Sequence, residues 1–313
     1  MRFLIVVITL LVLSVLPSYS QNNLLRFTDY DVTKPLINPA AMGLEEGVEG
    51  LLLYRSRFEK AEHWPSTGAL NINSIFSSKG LGGGLSVIYD KHGPYQKIFA
   101  YIAGVYRLQV NEKNFLYFGL QFGINYVSSS GDYRLADEEF IYSENYSQPN
   151  YGFGLHFKNE KFFLGFSIPE FKYNTIDEQG NKVTNMMSDK LKVYLYGGYE
   201  FRISEQTKLT PLAYLYYSEE EDTQIDLGAK LSFKKNFEIG ARYRTSEAFG
   251  VTARVRLFEE LWLGYSYEGN SSDSDDRFNS NQEITLTFRL GKKSQNDTQS
   301  KEQYEDINSI RYF

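Results

Sequence analysis

Apolar residues alternate with polar or small ones through most of this chain, with the two-residue period of extended strands. In the stretch 114–126, Phe118, Leu120, Phe122, Ile124 and Tyr126 fall on one side, while Tyr117, Gly119, Gln121, Gly123 and Asn125 fall on the other. The pattern returns where Ile225, Leu227, Ala229, Leu231 and Phe233 alternate with Asp226, Gly228, Lys230, Ser232 and Lys234. It predicts fourteen strands, at 48–56, 67–76, 80–90, 95–109, 114–126, 150–158, 161–168, 190–203, 207–217, 223–234, 236–244, 247–257, 260–268 and 281–290. One face of each strand wants an apolar medium; the other wants water or ion pairs. A soluble sandwich would have to cover the apolar faces with a second sheet, whereas a closed barrel in an outer membrane covers them with lipid and has no open edge. The expected fold is therefore all-β, an antiparallel transmembrane outer-membrane β-barrel of 14 strands.

Connection lengths point the same way. With the N-terminus in the periplasm, the outer connections are 57–66, 91–94, 127–149, 169–189, 218–222 and 269–280, with a short turn at Thr245 and Ser246. The inner ones are 77–79, 110–113, 159–160, 204–206 and turns at Lys235 and Glu259. All the long connections thus gather at one end, as in bacterial barrels and without reason in a sandwich.

The flanks break the alternation. Residues 1–20 read as an export signal, with Arg2 before an apolar run at 3–16 and small residues Ser18 and Ser20 before a cut ahead of Gln21. Residues 21–47 carry Lys34-Pro35, Asn38-Pro39 and Met42-Gly43 and form either a periplasmic lead-in or a segment that plugs the lumen. The barrel occupies 48–290. A polar tail, 291–313, follows on the periplasmic side and ends in Tyr312-Phe313.

Composition adds little that contradicts this. Aromatic residues make up 16% and hydrophobic residues only 42% of the 313 residues, which suits strands with one apolar face better than helical spans. With Cys 0, disulfides and a lipid anchor at Gln21 are ruled out. A net charge of −6 argues against a general nucleic-acid surface.

The inward parity collects Lys230, Arg242, Arg244, Arg254, Arg256 and Arg289, with Asp226, Glu238 and Glu268 as counter-charges. A structural ion-pair network is preferred over a basic, anion-selective pore, because isolated charges in a narrow barrel are costly. In the 127–149 connection, Tyr133, Phe140, Tyr142 and Tyr146 beside Asp137, Glu138 and Glu139 suit an aromatic protein contact ringed by charge. Packing of that loop over the barrel mouth would explain the same aromatics, and 169–189 is a second candidate cover.

Chemistry is not expected. His63 and His92 fall in separate outer connections and His156 in a strand, and Ser66 near His63 gives sequence proximity rather than nucleophile–base geometry. The glycine-rich run Gly80-Leu81-Gly82-Gly83-Gly84 lacks the spacing and following Lys-Ser or Lys-Thr of a phosphate loop. The acidic run 219–222 lacks the spaced ligands of a calcium loop. No catalytic residue, cofactor or metal is expected.

Asn38-Pro39-Ala40-Ala41-Met42-Gly43 resembles the Asn-Pro-Ala plus glycine mark that opens the PorP/SprF family. Leu53-Tyr54-Arg55 resembles its Tyr-Arg strand-end pattern, and residues 80–90 with Gly93 are similar to its glycine-rich third strand. The family has an aromatic residue near Ala41, and this chain carries a long tail after Leu290; both are departures. The resemblance implies a non-enzymatic outer-membrane component of the type IX secretion machinery of Bacteroidetes, serving export, retention or surface attachment of secreted proteins and in some members gliding motility. It implies secretion-machinery proteins and exported surface proteins as partners, within outer-membrane lipid and lipopolysaccharide. The matches at Asn38, Pro39, Ala40, Gly43, Tyr54 and Arg55 would mark a shared barrel entrance. A porin-like passive solute or anion channel is the alternative reading, and a lipid hydrolase a third.

Overall fold

A computed structural model describes residues 27–58, 65–93, 95–135, 138–171, 173–176, 182–185, 191–218, 223–245, 248–270 and 280–291. The expected export signal and all but Gly291 of the expected tail lie outside these residues, as do His63 and the acidic run 219–222. The wall is built from β1 (Val48–Phe58), β2 (Ser66–Ile75), β3 (Leu81–His92), β4 (Tyr95–Gln109), β5 (Phe115–Leu135), β6 (Glu138–Lys158) and β7 (Phe162–Ile168). It continues through β8 (Lys192–Tyr199, extended by Phe201–Arg202), β9 (Thr207–Ser218), β10 (Gln224–Phe233), β11 (Phe237–Arg244), β12 (Ala248–Arg256), β13 (Leu261–Asn270) and β14 (Ser280–Leu290). Every strand is antiparallel to its sequence neighbours, and β1 pairs with β14 from Val48↔Leu290 to Phe58↔Ser280. The sheet therefore closes into a 14-stranded barrel.

Alternation sets which side chains face out. On β5, Leu120 is 66% exposed and Ile124 52%, whereas Tyr117 and Gln121 are buried. Apolar side chains of this kind surround the wall, including Leu52, Ile102, Leu227, Ile239 and Ile284. An outside this apolar is stable only against lipid.

Strand β1 departs from alternation in a way the structure explains. Leu51, Leu52, Leu53 and Tyr54 form an apolar run because both faces of this strand are covered: Leu52 and Tyr54 point outward, while Leu51 and Leu53 are buried against material inside the barrel. A continuous apolar run is the expected signature of a strand buried on both sides.

Two local breaks follow from single residues. Pairing of β8 with β9 stops at Gly198↔Leu212 and resumes at Phe201↔Leu209; Pro211, which has no N–H to donate, lies in the gap. On its other side the strand keeps the β7 register, with the Glu200 N–H donating to the Lys161 carbonyl at 2.5 Å. At the β10–β11 turn, Lys234 and Lys235 have φ of 47° and 57°, in the left-handed region that disfavours side chains. Lys234→Gly should therefore raise stability by about 0.5–1 kcal/mol, read as a higher urea midpoint.

The expected 127–149 loop is corrected. Strands β5 and β6 run on for 21 residues each and stay paired, through Val127↔Tyr146, Gly131↔Tyr142 and Tyr133↔Phe140, to Leu135↔Glu138. Neighbouring β4 stops pairing at Tyr95↔Ser129 and β7 at Ile168↔Phe153, so the hairpin projects beyond the wall as a two-stranded ribbon. Pro149 suggests a strand end in the sequence, but on β6 it lies past the last β7 pair, where no ladder bond requires its N–H. The 169–189 connection contains a short hairpin, Tyr173–Ile176 with Lys182–Asn185, separate from the barrel sheet.

Candidate functional site

The material inside the barrel is the chain's own N-terminal segment. Residues 27–47 contain helix α1 (Tyr30–Ile37) and a single 3₁₀ turn, Pro39–Ala41, and Phe27, Thr33, Leu36, Ile37, Ala40, Ala41 and Met42 are all essentially inaccessible. Leu36 and Ile37 belong to one apolar cluster with Leu51, Leu53, Ile88, Phe99 and the inward tyrosines Tyr194, Tyr196, Tyr214 and Tyr216. The Tyr30 ring stacks on Tyr214 with centroids 3.7 Å apart and planes 4° from parallel.

Three sets of polar contacts tie the segment down. The first is a charge cluster on β10, β11 and β13: Arg244 Nε donates to both Asp226 oxygens at 3.1 Å and its Nη1 to Glu268 at 2.8 Å, while Arg242 pairs with the same two carboxylates. These guanidinium groups also reach the segment: Arg242 donates to the Phe27 carbonyl at 2.9 Å, and Arg244 to the Tyr30 hydroxyl at 2.6 Å. The Tyr30 hydroxyl in turn donates to Asp226 at 2.6 Å, and burial pushes that phenol up to about 12, so it acts as a neutral donor. Beside this cluster, the buried Glu283 carboxylate accepts from the Thr28 N–H at 2.7 Å and pairs with Arg55 at 3.6 Å.

The second set is ionic. Asp31 pairs with Lys230 of β10 and with Lys34 at 2.7 Å, and Lys34 lies 4.4 Å from the centre of the Phe163 ring. Burial alone would raise the Asp31 carboxyl; Lys230 and Lys34 outweigh it and hold the group well below the ordinary carboxylate range. A depressed carboxyl contributes stability that is present above its unfolded pKa of about 3.9 and is lost as pH falls through the folded value. Asp31→Asn should thus lower the urea midpoint evenly from neutrality to about pH 4 and weaken the further fall below about pH 4. The comparison is urea titration of both proteins across that range.

Asn38 makes the third set. Its side chain accepts from the Ala40 N–H at 2.8 Å, capping the 3₁₀ turn, and donates to the Leu155 carbonyl at 3.0 Å and the Tyr196 hydroxyl at 3.0 Å. The wall has been thinned to admit this turn. A Cβ on Gly119 would fall into the Pro39–Ala40 backbone, and one on Gly154 onto the Asn38 carboxamide. Gly43, at φ 75°, ends the turn and donates its N–H to Asn73 at 2.6 Å. Beyond it, Lys158 holds Glu45 and the Leu44 carbonyl.

A cavity of about 60 Å³ lies between α1 and the wall, bordered by Thr28, Asp29, Lys34, Tyr214, Lys230 and Thr252.

The inward residues expected from parity fall into separate groups. Arg242 joins Arg244 in the cluster around Asp226 and Glu268. Arg254 meets Glu238 at 2.8 Å, and Lys230 stands 3.6 Å from the same carboxylate. Arg289 lies at the inner rim with Glu49 at 3.0 Å and Glu45 at 3.5 Å, and Arg256 donates to the Glu259 carbonyl at 2.6 and 3.1 Å. Asn38, Pro39, Ala40 and Gly43 lie deep inside the barrel; Arg55 faces inward to Glu283, while Tyr54 faces outward at 55% exposure. His156 is buried in the lumen, 3.1 Å from the Tyr196 hydroxyl. The side chains of Tyr133, Phe140, Tyr142 and Tyr146 lie outside the described residues. Among the described residues no group of acidic and histidine side chains has the geometry of a metal site.

Sequence reasoning missed Asp31, Lys34, Tyr30 and Glu283 as partners in these groups. The available signal was the pairing of opposite charges in the non-alternating lead-in with the excess of inward basic residues.

Three solved structures superpose over most of this chain. The CymD monoaromatic hydrocarbon channel superposes with a TM-score of 0.51 at 12% identity, over 83% of this chain and 93% of that one. The toluene transporter TodX of P. putida gives 0.50 at 8%, over 82% and 93%. Omp33 of Acinetobacter baumannii gives 0.47 at 13%, over 79% and 100%. At these identities the likeness speaks to the fold alone. Comparison with curated protein sequences finds no match. The profile described as type IX secretion system membrane protein PorP/SprF, in contrast, matches residues 20–288. This outer-membrane barrel, with its own N-terminal segment inside the lumen, belongs to the PorP/SprF family of type IX secretion system membrane proteins.

Proposed function

We propose that the barrel is a non-enzymatic docking platform of type IX secretion, which binds or anchors exported proteins or surface adhesins at its outer end. Retention of adhesins that support gliding motility is the finer part of the same reading. The observation that carries it is the filled lumen: a barrel closed by buried ion pairs, a capped turn and an apolar cluster is built to present its ends rather than to pass solute. Residues 21–47 then serve as a plug, residues 1–20 as the export signal, and 291–313 as a periplasmic tail that reaches the secretion machinery.

Two measurements separate this from a passive channel. Purified protein in planar bilayers should give no steady conductance, and crosslinking in intact outer membranes should recover secretion components or exported proteins. Steady, ion-selective conductance together with recovery of lipid and lipopolysaccharide alone would reject the platform in favour of a porin.

A further inference from the structure

We propose that the free edge of β6, from Glu138 to Asn150, receives an extended strand of an exported polypeptide and so widens the β5–β6 ribbon to three strands; this rests on the platform reading above.

The edge is defined by pairing. Strand β6 is bonded to β5 along its whole length, but to β7 only from Phe153 onward. Between Glu138 and Asn150, among the described residues, no strand joins its other side; the nearest bond, at Tyr151, is the Phe171 N–H to its carbonyl at 3.0 Å. The short hairpin at Tyr173–Ile176 runs beside β6 without entering the ladder. Alternate residues of an edge strand direct N–H and C=O groups away from the partner, so this stretch presents a row of unpaired backbone groups about 40 Å long.

Its position matters as much as its chemistry. A membrane-crossing strand needs about 9–11 residues, so the 21 residues of β5 and of β6 carry the ribbon well beyond the lipid. Proteins ordinarily blunt such edges with short strands, lysine or proline. Here the edge is long, has no Lys or Arg between 138 and 150, and meets proline only at Pro149, near the wall. The occupant that fits is an extended chain bound through its backbone. Glu138, Glu139 and Glu144 make a neutral or basic strand the better match.

The test uses the full-length protein in intact outer membranes, with a photo-crosslinking amino acid at Asn145, at Ser147 and, across the barrel mouth, at Thr223; all three are exposed. Strand addition predicts that Asn145 and Ser147 capture an exported polypeptide at points two residues apart, in one register, and that Thr223 does not. Capture without register, or at Thr223 alone, overturns the edge and leaves the platform standing. Capture of a second copy of this chain overturns it in favour of a dimer. No exported polypeptide from any outer position removes the platform as well. In a second variant, 130–143 is replaced by a two-residue turn between Ser129 and Glu144, which face each other; this removes Glu138 to Ser143 of the free edge and spares the β4 pairs up to Ser129 and the β7 pairs from Phe153. Recovery of the exported polypeptide should fall by about tenfold or more at an unchanged urea midpoint; unchanged recovery overturns the proposal.

Discussion

Arg244→Ala is expected to cost about 3–5 kcal/mol, because it leaves buried carboxylates short of a counter-charge while freeing the first residues of the plug. Arg244 serves Asp226 and Glu268 in the wall, both buried, and the half-buried Tyr30 in the segment. Arg242 cannot take over both carboxylates, since it already bonds to them and to the Phe27 carbonyl. Arg244→Lys should recover little, as an ammonium lacks the planar fork that serves three partners at once. Urea titration in detergent or vesicles gives the loss. Removing charge from both sides, as Arg244→Met with Glu268→Met, should cost less than the two single losses added together. Additive losses would mean that the cluster does not act as a unit.

Asn38→Ala is the second large effect, and it bears on the plug more than on the wall. The substitution removes the cap of the 3₁₀ turn and strands the Leu155 and Tyr196 partners, a loss of about 2–4 kcal/mol in docking. At about 1.4 kcal/mol per tenfold, the segment's opening equilibrium shifts roughly 30- to 1,000-fold. The natural absence of cysteine makes this measurable: a thiol introduced by Thr33→Cys, at a site with no solvent exposure, should be labelled slowly in the parent and faster by that factor with Asn38→Ala. Gly154→Ala should shift labelling in the same direction, since its new methyl group meets the Asn38 carboxamide. Equal labelling in all three proteins would show that this turn does not hold the segment.

The wall could be read from sequence because a strand in this setting has a single strong requirement, apolar toward lipid and polar or small toward the inside. Thirteen residues from Asn114 to Tyr126 suffice to display it. What escaped was whatever depended on contact between distant parts. Nothing local marks Glu283 as the acceptor for Thr28, since the two stand 255 positions apart. The inner apolar cluster was similarly hidden: Leu51 and Leu53 break the alternation only because α1 covers them, and α1 itself is too short to stand out by periodicity. The β5–β6 extension was misread for a different reason. Beyond the membrane the selection for an apolar outer face ends, so Ser128, Ser129, Ser130 and Gly131 look like loop residues while the backbone remains paired.

The bond between Thr28 and Glu283 also bears on biogenesis. The N-terminal portion of the chain emerges first, yet the carboxylate that fixes it sits on the last strand, next to the seam where β14 meets β1. The Thr28 contact can therefore form only once the last strand is in place, so that the final anchoring of the interior segment and the closure of the ring fall together.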